Sequence, residues 1–241
     1  MYAESYQRGV ERVIEFMGGR DTDVVVPACP DWTALDVLRH LAGDADDVVS
    51  LNVDSIASDE WTQAHIDARA DLDFDGVVAD WRSNAGDAAA SLDNIESLGF
   101  PPVIDSAFGK VPPSVLPATL IADLLHHEFD LRNAYGDPYG RDLMEIHFAA
   151  AGHVKALRSS FAANDLDTIR IESSDSGMGW DIGRDVPVAT LRATSFQLMR
   201  AIGGRRTKAE MRAMGWDGDP EPYLDSMVLT HLAMRDESLR E

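Results

Sequence analysis

Apolar residues recur at helical spacing in four stretches of the first part of the chain. The first pattern ends at two glycines and predicts a helix over residues 3–17. Further helices are predicted over residues 33–52, 74–98 and 117–136, the last opened by a proline at its first turn. A proline-rich loop over residues 100–117 joins the third helix to the fourth. Four amphipathic helices with one long connection predict a helical bundle.

The start of the second helix is marked most clearly. Thr33 and Asp36 have the spacing of a capping box, and Trp32 and Val37 have the spacing of a hydrophobic staple. Both signals place the helix start near Thr33. This start places His40 in the second turn of the helix.

The pattern changes after Gly140. A helix is predicted over residues 142–163, and alternation with period two then predicts strands. The predicted strands cover residues 168–173, 180–182 and 186–191, and two further helices cover residues 195–202 and 207–214. The predicted fold class is α+β. It comprises an N-terminal four-helix bundle over residues 1–150 and a smaller C-terminal α/β domain over residues 151–241.

Acidic side chains are concentrated in the first part of the chain. Residues 1–150 carry 28 acidic and 9 basic side chains, whereas the remaining residues carry 14 and 12. Phosphate backbones and anionic membrane surfaces are bound by clustered cations. We therefore expect no nucleic-acid partner and no membrane partner.

Cysteine usage and the N-terminal segment indicate a cytoplasmic protein. The single cysteine, Cys29, can form neither an internal disulfide nor a CxxC pair. Charged residues are spread through residues 1–17, which therefore lack the apolar core of a signal peptide and the length of a membrane span. We expect a cytoplasmic location.

Three side chains have the chemistry and spacing of a metal site. Asp123 and His127 are four residues apart on the predicted fourth helix, so their side chains share one helix face. His40 on the second helix would complete the site from a facing helix. Two imidazoles and one carboxylate leave a divalent ion with a net positive charge and an open coordination position, which is typical of a catalytic site.

The pattern also allows other readings of these residues. His126 and Asp130 are likewise four residues apart, and periodicity does not decide which pair faces the core. A lone histidine on a helix is more often a surface or hydrogen-bonded core residue than a metal ligand, so His40 by itself favours that reading. Cys29 is most simply a small buried side chain, because no cation or histidine adjoins it in sequence.

The only dense cationic patch lies near the end of the chain. It follows two glycines and precedes a predicted helix start at Thr207, so it could bind a carboxylate or phosphate. A solvated helix end explains it equally well. The patch comprises Arg200, Arg205, Arg206, Lys208 and Arg212.

Several motifs together resemble the mycothiol-dependent maleylpyruvate isomerase family, whose metal-binding domain is a DinB-like four-helix bundle. In the first part they are CPDWT at 29–33 with Asp36, HLAG at 40–43, and a stretch over 127–134 in which an aspartate follows a histidine by three residues. The likeness continues into GRRT at 204–207 and WDGDP at 216–220, so it spans most of the chain.

The resemblance implies a ligand set and a cofactor. It assigns zinc, or another divalent metal, to His40, Asp123 and His127, and it favours His127 over His126. The usual glutamate is replaced here by Asp123, which is one methylene shorter. Mycothiol is implied as the thiol cosubstrate, and by analogy Arg205 or Arg206 would hold a substrate carboxylate.

The function predicted from these observations is thiol-dependent chemistry on a small molecule. In the family the thiolate adds to a conjugated double bond, rotation follows about the new single bond, and the thiolate then leaves. We expect isomerisation or S-transfer with a low-molecular-weight thiol, on a substrate that the arginines suggest is anionic. The alternatives are a non-catalytic metal- or ligand-binding protein and a hydrolase acting through a metal-bound hydroxide.

Overall fold

The computed structural model describes residues 2–137, 140–239 and 241, which divide into two compact units. The units are Met1–Pro138 and Tyr139–Glu241. The division falls earlier than the boundary placed at 150/151 from the sequence, which would cut through a single helix, Met144–Ala163. That helix packs against elements of the second unit, so it belongs with the C-terminal part.

The first unit is built around the four predicted helices. These are α1 (Tyr2–Met17), α2 (Ala34–Ser50), α4 (Phe74–Leu92) and α5 (Leu116–Ala134), with a shorter helix α3 (Asp59–Ala68) between α2 and α4. Helix α4 packs on α1 and α2, and α5 packs on the same two helices, so the four form the expected bundle. Their apolar faces meet around the fully buried Trp81 and Tyr6, whose side chains are joined by a hydrogen bond of 3.3 Å.

Helix α2 begins where its capping signals predict. Thr33 Oγ1 accepts a hydrogen bond from the backbone N–H of Asp36, and the Asp36 carboxylate accepts one from the backbone N–H of Thr33. The capping role predicted for Asp36 is confirmed. The helix ends at Ser50, and the residue that follows, Leu51, adopts a left-handed conformation.

Short elements that periodicity does not reveal complete the first unit. A hairpin of β1 (Val25–Val26) and β2 (Cys29–Thr33) precedes α2, and a second hairpin of β3 (Ile104–Ser106) and β4 (Gly109–Val111) lies within the predicted proline-rich loop. The second hairpin covers a small separate apolar cluster. That cluster contains Val53, Ile95, Ile104 and Leu116.

The second unit combines helices with a mixed sheet. Its elements are α6 (Met144–Ala163), β5 (Ile169–Ser173), β6 (Gly179–Ile182), β7 (Ala189–Ala193), α7 (Ser195–Ile202), α8 (Lys208–Arg212) and β8 (Gly215–Asp217). The strand order is β6-β5-β7-β8, with β5 parallel to β7 and the other two pairs antiparallel. The α+β fold class is confirmed.

Two details of the second unit differ from the sequence prediction. Strand β7 begins at Ala189, later than the predicted Val186, because Val186 and Val188 are largely exposed and only the residues from Ala189 onward alternate between buried and exposed. Strand β8 was not predicted, because its three residues are too few for a periodic signal. Among the helices of the described residues, none has the length and apolar character needed to cross a membrane.

Candidate metal centre

Two helices of the first unit bring together the three side chains predicted as metal ligands. His40 lies in the second turn of α2, and Asp123 and His127 lie one turn apart on α5. His40 Nε2 is 3.2 Å from Asp123 Oδ2, and His127 Nε2 is 3.7 Å from Asp123 Oδ1. One donor atom of each residue lies within 4.8 Å of the other two. The three residues therefore form one spatial cluster.

The two oxygens of Asp123 lie at distances from the two imidazoles that resemble the spacing of metal ligands. Around a tetrahedral zinc ion, nitrogen and oxygen donors at about 2.0–2.2 Å from the metal lie roughly 3.3–3.6 Å from one another. The distances of 3.2 and 3.7 Å from Asp123 to the two imidazoles are close to that spacing. The aspartate therefore reaches both histidines despite being shorter than the glutamate that is usual in the family.

The cluster is buried on its histidine side and open on its carboxylate side. The side chains of His40 and His127 are 5% and 6% exposed, whereas that of Asp123 is 36% exposed. The ring of Trp32 lies against both imidazoles, with centroid distances of 5.3 Å to His40 and 5.9 Å to His127. A small molecule from solvent would therefore approach the cluster beside Asp123.

The structure separates the two histidines that periodicity left unresolved. Both are buried on α5, but of the two groups of ligand-type side chains that include His40 in the described residues, one contains His127 and neither contains His126. His127 Nδ1 also lies 3.4 Å from Asp130 Oδ2, on the side of the ring away from Asp123. The geometry therefore agrees with the helix face that the family resemblance favours.

The three side chains differ in charge. Burial lowers the pKa of His40 to about 4, despite the opposing hydrogen bond and charge of Asp123. Burial raises the pKa of Asp123, but the charge of His127 and the hydrogen bond with His40 outweigh it and hold that pKa well below its usual range. Burial also lowers the pKa of His127, but Asp123, Asp130 and Cys29 together bring it well above its usual value. At neutral pH His40 is thus the uncharged member of the cluster.

A fourth carboxyl group, that of Asp44, lies beside the cluster on α2. Burial raises its pKa well above the usual range, and the negative charge of Asp123 and a hydrogen bond with it raise that pKa further. Its Oδ1 atom is buried and has no hydrogen-bond partner among the described residues. Asp44 therefore holds a proton more readily than an ordinary aspartate does.

Sequence reasoning missed a polar group behind His40. His65, on the unpredicted helix α3, places Nδ1 3.1 Å from His40 Nδ1 and Nε2 2.9 Å from Asp47 Oδ2. Part of the signal was available, because Asp44 and Asp47 follow His40 by four and seven residues and so share its helix face. Ser58 followed by Asp59 and Glu60 was also a usable signal for the start of α3.

The hairpin β1-β2 brings Cys29 to the other side of the cluster. Cys29 Sγ is 4.0 Å from Asp130 Oδ2, and Cys29, His127 and Asp130 form another group with donor atoms within 4.8 Å of one another, as do His40, Asp44 and His65. The side chain is half-buried, not enclosed as expected from the sequence. The neighbouring histidine is distant in sequence, and only the tertiary fold reveals it.

Both predicted arginines lie in the second unit, where Arg206 binds a carboxylate. Arg206 Nη1 donates to Glu241 Oε2 at 2.7 Å, and Arg200 Nε donates to the same oxygen at 3.2 Å. Arg205 Nη1 donates to the carbonyl oxygen of Gly203 at 2.8 Å. The Glu241 side chain is 4% exposed, so the arginines hold it away from water.

A serine of the second unit has a histidine neighbour without the geometry of a nucleophile. Ser195 Oγ is 2.8 Å from His147 Nδ1, but it also donates to Asp175 Oδ1 at 3.1 Å. In a catalytic triad the acid orients the histidine, whereas here Asp175 contacts the serine. Ser195 is completely buried at the start of α7, so this network has a structural role.

Comparison with known proteins agrees with the fold and with the motifs. The family described as the mycothiol maleylpyruvate isomerase N-terminal domain matches residues 7–132. A crystal structure of the mycothiol-dependent maleylpyruvate isomerase has a TM-score of 0.58 and 14% sequence identity, covering 85% of this chain and 88% of that chain. A histidine-to-alanine mutant of the mycothiol-dependent maleylpyruvate isomerase also has a TM-score of 0.58, at 13% identity over 84% of this chain and 88% of that chain.

The two kinds of match support different statements. No curated protein sequence matches the chain. The likeness to the solved structures, at these identities, shows a shared fold. The family match covers more than half of the 241 residues, and it includes His40, Asp123 and His127. The chain therefore belongs to the mycothiol maleylpyruvate isomerase family through its N-terminal domain.

Proposed function

We propose that this protein is a metal-dependent enzyme that uses a mycothiol-like thiol for isomerisation or S-transfer on a small anionic molecule. The observation that carries the proposal is the cluster of two buried histidines and one partly exposed aspartate. His40, Asp123 and His127 are the proposed ligands of one divalent ion. Zinc suits two imidazoles and a carboxylate.

Each proposed ligand has a defined part in holding the ion. His40 supplies a neutral nitrogen, as its lowered pKa requires. Asp123 directs one oxygen toward each histidine and supplies the negative charge of the set. Three protein ligands leave a coordination position open, and Asp123 is the ligand beside which solvent reaches the site.

The thiol is proposed from the family and from the chemistry of the site. The family and both similar structures are named for mycothiol or for dependence on it. A divalent ion, when bound, deprotonates a coordinated thiol and so supplies a thiolate at neutral pH. Trp32 lies against both histidine rings and keeps water from that side of the site.

The anionic substrate is proposed from the arginines of the second unit. Arg206 binds the carboxylate of Glu241 in this structure, so its guanidinium is suited to a substrate carboxylate of the same chemistry. Arg205 is its proposed partner.

The experiment is a thermal shift with mycothiol on the zinc-loaded full chain. A ligand at about 100 times its dissociation constant stabilises the folded state by about 2.7 kcal/mol, so we expect the melting temperature to rise by several degrees. The rise should vanish without zinc and in His40→Ala. If mycothiol does not change the melting temperature of the zinc-loaded protein, the thiol assignment is overturned.

Turnover assays extend the same experiment to the substrate. With mycothiol and maleylpyruvate as probes, Arg206→Ala should raise KM more than kcat falls, and zinc content should not change. Arg212→Ala is the matched control, because Arg212 pairs with an exposed glutamate, Glu221, elsewhere on the second unit. Hydrolysis of simple esters by the zinc-loaded protein without thiol would instead identify a hydrolase.

A further inference from the structure

His40 is one end of a series of three buried polar side chains that contact one another. Asp47 Oδ2 is 2.9 Å from His65 Nε2, and His65 Nδ1 is 3.1 Å from His40 Nδ1. His40 Nε2, at the other end of the series, faces Asp123 at 3.2 Å. His40, His65 and Asp47 are between 4% and 7% exposed, so water does not compete for these contacts.

We infer that Asp47 and His65 are positioning residues for His40, which hold its ring and accept its Nδ1–H when its Nε2 lone pair binds the proposed metal. The inference rests on the proposed metal site and extends it to two residues outside the ligand set. Outer partners of this kind usually hold a metal-binding histidine through its second ring nitrogen. Here that partner is another imidazole, which is itself held by a carboxylate.

The contact with Asp47 determines which nitrogen of His65 carries a hydrogen atom. A carboxylate only accepts hydrogen bonds, so His65 Nε2 must donate to Asp47. In a neutral imidazole the other nitrogen then accepts, so His65 Nδ1 is an acceptor for a hydrogen on His40 Nδ1. In the metal-free protein Asp123 is also a carboxylate and accepts from His40 Nε2–H by the same rule. When His40 Nε2 binds a metal instead, the hydrogen of His40 lies on Nδ1, and the contact with Asp47 has left His65 Nδ1 ready to accept it.

The carboxylate at the end of the series is itself held in place. Asn52 Nδ2 donates to Asp47 Oδ1 at 2.9 Å, which leaves Oδ2 for His65. Asp44 is the alternative partner for His40 Nδ1, but its Oδ1 is 3.8 Å away, compared with 3.1 Å for His65 Nδ1. Hydrogen bonds between nitrogen and oxygen weaken beyond about 3.2 Å, so His65 is the effective partner.

Packing fixes the ring of His65 between two helices. The ring of Trp61 lies with its centroid 4.1 Å from that of His65. On the other side the ring sits over Gly43 of α2, where an added Cβ would be 2.2 Å from His65 Cγ. Gly43 thus allows α3 to approach close enough for His65 to reach His40.

The first test identifies the tautomers directly. Long-range ¹H–¹⁵N NMR of the ¹⁵N-labelled full chain, with and without zinc, distinguishes Nδ1–H from Nε2–H imidazoles, and the signals are assigned with His40→Ala and His65→Phe. We expect His65 as Nε2–H in both states and His40 as Nδ1–H once zinc is bound. Finding His65 as Nδ1–H in either state would overturn the inference.

The second test measures zinc affinity by competition with a chelator. Loss of an outer partner typically lowers metal affinity about 10–100-fold, and we expect this range for His65→Phe, which keeps the ring and removes its nitrogens. His65→Asn retains an acceptor near the position of Nδ1, so it should recover much of the affinity. Trp61→Leu disturbs the packing of the His65 and His40 rings and keeps the imidazole, so it should lose less zinc affinity than His65→Phe.

The outcomes separate this inference from the proposed metal site. Equal losses in Trp61→Leu and His65→Phe, at matched melting temperatures, would mean that His65 acts only through packing and would overturn the inference. Wild-type protein that binds no zinc would overturn the proposed function, while the tautomer measurement would still test the series. Wild-type protein that binds zinc with unchanged affinity in His65→Phe would overturn the inference alone.

Discussion

The fold accommodates the short side chain of Asp123 in the cluster of proposed metal ligands. The family resemblance led us to expect a glutamate, and an aspartate reaches less far by about one carbon–carbon bond, roughly 1.5 Å. In the structure its two oxygens nevertheless lie 3.2 and 3.7 Å from the nearest nitrogens of His40 and His127. Helices α2 and α5 pack closely enough for the shorter side chain of Asp123 to reach both histidines.

Gly43 is a second residue whose size the site depends on. In an exposed helix, alanine in place of glycine stabilises by roughly 0.5–1 kcal/mol. At Gly43 an added methyl would overlap the ring of His65, and such overpacking costs about 1–3 kcal/mol. We expect Gly43→Ala to lower the free energy of unfolding and to weaken zinc binding by displacing His65.

The same substitution elsewhere provides the control. Gly86 lies in the middle of α4, is exposed, and has no heavy atom of the described residues within 4 Å of an added Cβ. Gly86→Ala should therefore raise the free energy of unfolding and leave zinc affinity unchanged. Urea denaturation of both variants measures the effect, and equal signs for the two would refute the role assigned to Gly43.

At the scale of elements, α2 depends on its capping box. Asp36 accepts hydrogen bonds from the backbone and hydroxyl of Thr33 and from Arg39. Burial raises the pKa of Asp36, but these bonds and the charge of Arg39 lower it below its usual value of about 3.9. A lowered pKa in the folded state means that the carboxylate contributes stability above that value and loses the contribution as the pH falls.

This linkage predicts the pH dependence of one variant. Asp36→Asn should cost about 1–2 kcal/mol of unfolding free energy between pH 5 and 7, and the difference from wild type should shrink below about pH 4. Urea midpoints at each pH measure it. Asp54→Asn, an equal charge change at an exposed position after α2, should show a difference within about 0.5 kcal/mol throughout. A cost for Asp36→Asn that stays constant down to pH 3 would refute the linkage.

Long elements were predictable from the sequence, whereas short ones were not. Helices α1, α2, α4 and α5 each contain several turns of apolar periodicity, and their predicted starts lie within one residue of the observed ones. Helix α3 was missed because only two of its residues, His65 and Ile66, are buried. The strands of the two hairpins are too short to show an alternation of apolar and polar residues in the sequence, and they form because of tertiary packing.

At the scale of the whole chain, the site depends on contacts between residues distant in sequence. Spacing alone suggested the Asp123–His127 pair, and the resemblance to a family chose between it and the His126–Asp130 pair. Neither could reveal that α3 places His65 behind His40 or that a hairpin places Cys29 beside His127. Those neighbours follow from how the elements of the first unit pack.

The central claim is that His40, Asp123 and His127 together bind one divalent ion. Zinc titration of the full chain, with affinity measured by chelator competition, tests it most directly. His126→Ala is the matched control for His127→Ala, because the two residues are neighbours on α5 and equally buried at 5%.

We expect wild-type protein to bind one zinc ion per chain. Affinity should fall in His40→Ala and His127→Ala by more than the roughly 10–100-fold typical of outer partners, and it should change little in His126→Ala. A wild-type protein that binds no zinc, or a His126→Ala variant that loses zinc as completely as His40→Ala, would contradict the claim.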